Sequence, residues 1–130
     1  MKNKKENIAK EKVGSYFDLE ARTFKFAKDV VVFLKKLPLT IANREFFKQL
    51  IRSSSSVGAN YLEANNCLGK KDFSHKIGIC RKEAKESNYW LRLIEVEENN
   101  AQQFETAKKL QKESLELMLI FGAILRNTKK

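Results

Sequence analysis

The chain has 130 residues, of which 42% are hydrophobic, and its 26 Lys and Arg outnumber 16 Asp and Glu, which gives a formal net charge of +10. This length suits one domain with an ordinary core; the composition excludes wholesale disorder, and a single proline with five glycines argues against a β fold with many turns. The positive charge favours a polyanionic partner such as RNA, DNA, anionic lipid or an acidic protein, with a merely solubilising surface as the alternative.

The first 15 residues, MKNKKENIAKEKVGS, are rich in lysine and have little to bury, so we expect a flexible basic tail before one folded domain over residues 16–130. Such a tail can bind a phosphate backbone, although a solvated end is the simpler interpretation. The N-terminus lacks the apolar core of a signal peptide, and no apolar run reaches transmembrane length. The sequence therefore predicts a cytoplasmic protein without a membrane segment.

The first predicted helix begins near Asp18, a residue type that caps helices, and ends before Pro38. Its apolar residues form two adjacent stripes, which together are wider than the stripe of about 100° on an ordinary surface helix. One stripe consists of Phe24, Ala27, Val31 and Leu34, and the other of Leu19, Phe26, Val30, Phe33 and Leu37. The short loop after this helix predicts that the next helix runs antiparallel to it.

The second predicted helix covers residues 41–68, with Thr40 or Asn43 as its cap and Gly69 in the left-handed conformation that ends many helices. It contains four consecutive serines, residues 53–56, which would also suit a linker between two domains. The large residues nevertheless fall on one side of a continuous helix, at Phe47, Leu50, Val57, Tyr61 and Leu68.

Small residues inside this helix require a compensating contact. Serine and glycine lower helix stability by about 0.5 and 1 kcal/mol per residue relative to alanine. We therefore expect Ser54 and Gly58, four residues apart on the apolar side, to let a neighbouring helix approach closely.

The third predicted helix runs from Lys71 to about Glu97. Its packing seam steps by three and four residues through Phe73, Ile77, Cys80, Ala84, Ser87, Leu91 and Ile94.

A second stripe on this helix carries two carboxylates, Glu83 and Glu86, beside Trp90. A buried carboxylate needs a partner, so we expect these two to meet Arg52, Asn60 or a serine hydroxyl. The alternative is that both lie at the edge of the stripe and reach water. A catalytic acid pair is the least favoured interpretation, because nothing else catalytic accompanies it.

The fourth predicted helix covers residues 101–127, after a turn in which Asn99-Asn100 and Gln102-Gln103 form an Asn/Gln variant of a capping box. Its core positions are Leu110, Ser114, Leu117, Phe121 and Ile124. The segment 115–125 is apolar on nearly all sides yet too short to span a bilayer, so we expect it to be enclosed by protein.

Four helices joined by tight turns predict an all-α fold, an antiparallel up-down-up-down four-helix bundle. Three of the helices carry more apolar surface than a monomeric bundle buries, so we expect a homo-oligomer, with a tightly wrapped monomer as the alternative. The residues expected at structural or subunit contacts are Ser54, Gly58, Asn60, Glu63, Glu83, Glu86, Trp90, Phe26, Phe33, Leu115 and Leu119.

Basic residues are expected to gather at the end of the bundle where the first helix begins and the last helix ends. That end carries Arg22, Lys25, Lys70, Lys71, Lys76, Arg126, Lys129 and Lys130, and the third helix adds Arg81, Lys85 and Arg92 on its outer face. These residues predict contacts with phosphates that do not read base sequence. A dipolar surface without a function is the alternative.

Residues for catalysis or metal binding do not occur in a recognisable pattern. His75 is the single histidine, and it has no metal-site spacing to Cys67 and Cys80. The two cysteines are offset by roughly 10 Å along neighbouring helices, too far for a disulfide, and are expected to be buried. With no phosphate-binding glycine loop either, the sequence predicts a non-enzymatic protein without a metal or cofactor.

Two segments resemble one bacterial family: residues 49–64, QLIRSSSSVGANYLEA, and residues 82–91, KEAKESNYWL, with shorter matches at 18–24 and 71–73. They resemble the four-helix bundle proteins related to those encoded in 23S rRNA intervening sequences, sometimes labelled S23 ribosomal proteins. The similarity covers about residues 18–125. Asn60 and Glu63 match the family pattern, whereas Ala64 stands where many relatives have glycine.

The resemblance implies an antiparallel bundle assembled as a ring, usually a homopentamer. It also implies a distant kinship with the accessory proteins of diversity-generating retroelements, which engage nucleic acid and a reverse transcriptase. Together with the basic end, it predicts an oligomer that binds RNA or other nucleic acid. The alternative is a protein-interaction scaffold whose partner is an acidic protein or a polymerase-like enzyme.

Overall fold

The structure, a computed structural model, describes residues 18–128. Four helices account for most of them: α1, Leu19–Leu34; α2, Ile41–Asn65; α3, Lys70–Leu93; and α4, Ala101–Thr128. Within these residues there is no strand, and none of the helices has an apolar stretch that would cross a lipid bilayer. The predicted tail, residues 1–15, and the predicted phosphate contacts Lys129 and Lys130 lie outside the described residues.

Each helix packs against the next one along the chain, and α1 also packs against α4, which closes the bundle. The short connections make consecutive helices antiparallel. The predicted four-helix bundle is therefore confirmed.

The core is filled by one apolar stripe from each helix. The buried residues are Leu19, Phe26, Val30, Phe33 and Leu34 from α1; Phe47, Leu50, Val57 and Ala64 from α2; Ile77, Cys80, Ala84 and Leu91 from α3; and Ala107, Leu110, Leu117 and Phe121 from α4. Phe26 and Phe33 therefore pack inside the chain's own core, and their surface is not accessible to a second copy. Phe24, on the other stripe of α1, is 66% exposed.

The four serines lie inside α2, so the helical interpretation is confirmed and the linker is excluded. Their hydroxyls bond to carbonyls one turn back, with Ser55 Oγ donating to Ile51 O over 2.7 Å and Ser56 Oγ to Arg52 O over 2.7 Å. A Cβ added at Gly58 would lie 2.9 Å from Thr23 Oγ1. Glycine is thus required for the close approach of α1 to α2.

The end of α2 differs from the prediction. The helix ends at Asn65, three residues before Leu68, and Gly69 is not left-handed. Gly69 has φ −112° and ψ 153° and directly precedes α3 as its N-cap. Its carbonyl oxygen accepts the first hydrogen bond of α3, from Phe73 N over 3.0 Å.

The end of α3 also differs, since the helix ends at Leu93 rather than near Glu97. The reason is a contact with the start of α2. Asn43 Nδ2 donates to Glu95 O over 2.8 Å, and Glu95 N donates to Asn43 Oδ1 over 2.8 Å. The backbone of Glu95 is therefore bonded to this buried amide instead of continuing the helix. Thr40 caps α2, because its hydroxyl accepts from Asn43 N over 3.0 Å.

The turn before α4 contains a modified form of the predicted capping box. Asn100 Oδ1 accepts from Gln103 N over 3.0 Å, as a cap does. Gln103 Oε1 accepts from Glu97 N over 2.8 Å rather than from the cap residue, and Gln103 Nε2 donates to Lys36 O over 3.2 Å. Gln103 therefore joins the turn to the end of α1.

Candidate nucleic-acid interface

Exposed positive charges follow the outer side of α3. They are Lys71, Arg81, Lys82, Lys85 and Arg92, which we call the α3 cationic face. Four of them, at positions 71, 82, 85 and 92, share one side of the helix, because their spacings of 11, 3 and 7 residues are close to whole numbers of helical turns. Arg81 lies beside this row, toward α4. At 1.5 Å rise per residue the face is about 30 Å long, comparable to the axial length of about nine phosphates on one strand of a duplex.

The α3 cationic face has no carboxylate partners in the part of the chain that the structure describes. Within residues 18–128, none of the salt bridges involves any of its five members. The glutamates in the middle of the helix, Glu83 and Glu86, instead bond to Arg52 on α2. Arg92 lies over the ring of the exposed Tyr89, 6.0 Å from its centroid. These cations and the aromatic ring therefore remain open to an external ligand.

Arg22, in contrast, is engaged within the bundle. Its Nε atom lies 2.7 Å from Glu113 Oε2, and its Nη2 atom lies 3.1 Å from Glu116 Oε1. Hydrogen bonding by Glu113 raises the pKa of the Arg22 guanidinium, against the opposing effect of partial burial. Arg22 thus joins α1 to α4, and a phosphate would have to displace two carboxylates to bind it.

Two lysines of the predicted basic end are also paired. Lys25 Nζ contacts the carboxylate of Asp29 one turn along α1, and Lys76 Nζ lies 2.8 Å from Glu63 Oε1 across the α2–α3 boundary. Hydrogen bonding to the carboxylate is the main cause that raises the pKa of each ammonium group. The pairing of Glu63 with Lys76 gives Glu63 a contact between helices.

The remaining described members of the basic end lie near the α2–α3 turn and the end of α4. Lys70 is the first residue of α3 and is exposed. Arg126 lies in the last turn of α4, and its guanidinium and that of Arg81 both lie beside Gly122. Arg22, Lys25 and Lys76 of the basic end are therefore compensated by carboxylates, whereas within the described residues the members of the α3 cationic face are not.

Arg52 forms the predicted contact with both glutamates of α3. Its Nη1 atom lies 3.3 Å from Glu83 Oε2 and its Nη2 atom 2.9 Å from Glu86 Oε2. Burial lowers the pKa of Arg52, but attraction to Glu83 and its hydrogen bonds outweigh this, and the pKa is raised overall. Glu83 is buried, whereas the Glu86 side chain is 41% exposed. The cluster joins α2 to α3.

Two polar atoms beside this cluster lack a hydrogen-bond partner within the described part of the chain, Glu83 Oε1 and Trp90 Nε1. The Trp90 ring packs against Phe46 and Tyr89, with centroid distances of 6.2 and 5.1 Å. Asn60 lies further along α2, and its amide donates to Ser56 O over 2.8 Å. Asn60 therefore stabilises its own helix and does not bond to the glutamates.

Two of the surfaces that expose apolar residues bear on assembly. A groove of about 730 Å³ lies between α1 and α2, lined by Glu20, Ala21, Thr23, Phe24, Ala27, Ser55, Gly58, Ala59 and Leu62. Leu115 and Leu119 are exposed one turn apart on α4. The described residues therefore do not enclose Leu115 and Leu119, contrary to the expectation for the segment 115–125.

The reactive side chains offer little chemistry. Cys80 is buried, and desolvation raises its pKa to about 12, so the thiol is un-ionised at neutral pH. Cys67 is a free, half-buried thiol, and His75 is exposed. Among the described residues, no group of three His, Cys, Asp or Glu side chains is arranged to hold a metal ion.

Lys82 is the member of the α3 cationic face that the sequence analysis missed. Its position follows His75 and precedes Lys85 and Arg92 in the same three-and-four spacing. That spacing was readable from the sequence and indicates an outward-facing row.

The chain is similar to a known protein family and to a solved structure. The family model for the 23S rRNA-intervening sequence protein matches residues 17–121. A 1.70 Å crystal structure of a protein with unknown function from the S23 ribosomal protein family, from Bacteroides thetaiotaomicron VPI-5482, is 27% identical, with a TM-score of 0.65. The similarity covers 82% of this chain and 96% of that chain. No curated protein shows significant similarity to the chain.

Proposed function

The chain belongs to the 23S rRNA-intervening sequence protein family, and from this premise we propose that it is a non-enzymatic bundle that binds RNA or other nucleic acid through the α3 cationic face. The observation that carries the proposal is the row of five exposed cations without carboxylate partners in the described chain. Unpaired Lys and Arg bind phosphates with release of counterions, whereas paired cations must first lose an existing contact.

The contacts proposed here are with the backbone of the nucleic acid. Lysine and arginine on one outer helix face, without a recognition helix or loop presenting amide side chains beside them, position phosphates and do not select bases. Tyr89, which is exposed and lies beside Arg92, adds a ring on which an unpaired base can stack. This favours single-stranded or irregular RNA over a regular duplex.

We also propose that the bundle assembles with copies of itself. The apolar groove between α1 and α2, and the pair Leu115 and Leu119 on α4, are two surfaces that a monomer would leave in water. Packing one surface against the other in a neighbouring copy would form a closed ring, such as a pentamer. Repetition of the α3 cationic face around a ring would strengthen weak binding through avidity.

The decisive measurement is filter binding of RNA over a salt series, with a charge-matched pair of variants. The first triple variant, with Lys82→Gln, Lys85→Gln and Arg92→Gln, removes three members of the α3 cationic face. The control triple variant, with Lys28→Gln, Lys35→Gln and Arg44→Gln, removes the same charge from exposed sites on α1, at its C-cap and on α2. We expect the first set to lower RNA affinity about a hundredfold at 0.1 M salt and to reduce the salt slope by about two, because each phosphate contact contributes about 0.7 to the slope.

Equal losses in the two triple variants would contradict the assignment to α3, because net charge alone would then explain binding. Wild-type affinity that is absent at low salt or insensitive to salt would contradict phosphate binding altogether. Light scattering tests assembly separately. A mass of 15.1 kDa in dilute solution would contradict the oligomer, and a multiple of it would support the ring.

The second candidate function is a scaffold for a partner protein, such as a polymerase-like enzyme. The exposed Phe24 and Leu62 beside the α1–α2 groove favour it, because a groove of this kind binds an apolar side chain or helix. A pull-down with and without nuclease separates the two functions. A partner that stays bound after nuclease treatment favours the scaffold, and one that is lost favours nucleic acid.

A further inference from the structure

Two arginines from neighbouring helices lie beside one buried glycine. Gly122 lies in α4 and is buried. A Cβ placed on it would lie 3.4 Å from Arg81 Nε, on α3, and 3.4 Å from Arg126 Nη1, one turn further along α4. The two guanidinium nitrogens are therefore separated by no more than twice that distance.

Like charges at this separation repel each other unless a negative group lies between them. No carboxylate of the described chain forms a salt bridge with either arginine. The nearest glutamates along their own helices point elsewhere. Glu83 is bonded to Arg52 and Glu116 to Arg22. Residues 18–128 thus bring two cations close together without supplying a carboxylate as their counterion.

We propose that Arg81 and Arg126 form a phosphate-binding site above Gly122. This inference rests on the proposed function and deepens it, since it gives one phosphate of the nucleic-acid backbone a specific place at the edge of the α3 cationic face. The planar guanidinium is suited to bind two phosphate oxygens at once, and two such groups on different helices can hold one phosphate from two sides.

Glycine at position 122 leaves room for this arrangement. Its missing side chain lets both guanidiniums lie against the backbone of α4. An alanine methyl group would touch both arginines, and any longer side chain would separate them. The phosphate can come from the backbone of a strand or from the terminal monoester of an RNA end, and both present the same oxygens to the site.

The test uses nuclear magnetic resonance of the full ¹⁵N-labelled chain and inorganic phosphate as the probe, with sodium chloride of equal ionic strength as the reference titration. We expect saturable shifts of the Gly122 amide and of the Nε–H groups of Arg81 and Arg126 with phosphate and not with chloride. The double variant Arg81→Gln/Arg126→Gln should lose these shifts. The control Lys28→Gln/Arg44→Gln removes the same charge at exposed sites on α1 and α2 and should keep the shift of the Gly122 amide.

A third variant, Gly122→Ala, keeps both charges and tests the space between them. We expect it to fold normally and to bind phosphate severalfold more weakly. Equal responses to phosphate and chloride in the wild type would overturn the proposal, as would full binding by Arg81→Gln/Arg126→Gln or by Gly122→Ala.

The two proposals fail separately. If RNA binds with a salt slope but phosphate causes no shift at Gly122, this site is wrong and the α3 cationic face stands. If a 5′-phosphorylated RNA and its dephosphorylated form bind equally while both lose affinity in Arg81→Gln/Arg126→Gln, the site binds a backbone phosphate. A loss confined to the phosphorylated form identifies the terminal monoester.

Discussion

The hydroxyl groups of Ser53 on α2 and Ser87 on α3 share a hydrogen bond with an oxygen–oxygen distance of 2.9 Å, and both residues are fully buried. Ser87 also bonds to Glu83 O over 2.9 Å and Ser53 to Leu50 O over 3.3 Å. Two small side chains thus let α2 and α3 approach closely while their polar groups stay satisfied. This contact explains why serine, a mediocre helix former, occupies the middle of a long helix.

Enlarging one of these serines should therefore destabilise the bundle. Ser53→Leu improves helix propensity but forces extra volume between α2 and α3, and overpacking of this kind costs about 1–3 kcal/mol. Ser55→Leu, two residues further at an exposed position, gains the same propensity and should change stability by no more than about 0.5 kcal/mol. Urea denaturation followed by circular dichroism measures both. Similar midpoints for the two variants would show that Ser53 is not at a tight interface.

Gly58 and Gly78 provide a second matched pair. Gly58→Ala would place its Cβ 2.9 Å from Thr23 Oγ1 and 3.2 Å from Thr23 Cβ, so we expect lower stability despite a helix-propensity gain of about 1 kcal/mol. Nothing lies within 4 Å of a Cβ at Gly78, so Gly78→Ala should raise stability by up to about 1 kcal/mol. Thermal unfolding measures both shifts.

A second substitution tests whether contact with Thr23 is the reason for the lower stability of Gly58→Ala. Thr23→Ala removes the atoms that Gly58→Ala would meet, so the double variant should be more stable than the sum of the two single effects predicts. Strict additivity would mean that Thr23 does not set the distance between α1 and α2.

The sequence was sufficient for features that depend on spacing within one helix. The apolar positions of α2 continue on one side through the serines, and the close approach at Gly58 follows from that register. Features that depend on contacts between residues far apart in the sequence could not be predicted. The end of α3 is determined by the bond between Asn43 and Glu95, which are 52 residues apart. A helix pattern that continues past Leu93 gives no sign of this bond.

The interaction of Arg52 with Glu83 gives a third prediction. The Glu83 side chain is 7% exposed and that of Arg52 is 52% exposed. Arg52→Gln leaves a buried carboxylate without its charged partner, and we expect a loss of about 1–2 kcal/mol, less than for a fully buried pair because water reaches Arg52. Glu86→Gln, which removes the more exposed partner, should change stability by about 0.5 kcal/mol or less. Chemical denaturation that gives equal losses for the two variants would argue against a special role for Glu83.

For the candidate site, too, the positions on one helix were predicted, whereas the contacts between helices were not. Arg81, Lys85 and Arg92 were identified because their spacing on α3 places them outward. Arg22 was assigned to phosphate, yet it bonds to Glu113 and Glu116, more than 90 residues away. Charge patterns along a helix predict which residues face solvent. They do not predict which cations another helix will neutralise, because that depends on the register between α1 and α4.

The buried thiol gives the last prediction. Burial raises the pKa of Cys80 from 9.0 to about 12, so Cys80 stays protonated in the folded chain over a pH range in which the unfolded chain would ionise it. Its contribution to stability is therefore complete below pH 9 and is lost as the pH rises from 9 towards 12.

At pH 8 we expect a thiol reagent to modify Cys67 readily and Cys80 only after unfolding, because the thiolate is the reactive form. Cys67→Ser isolates the slow thiol and Cys80→Ala the fast one. Rapid modification of Cys80 in folded Cys67→Ser would contradict its burial between the helices.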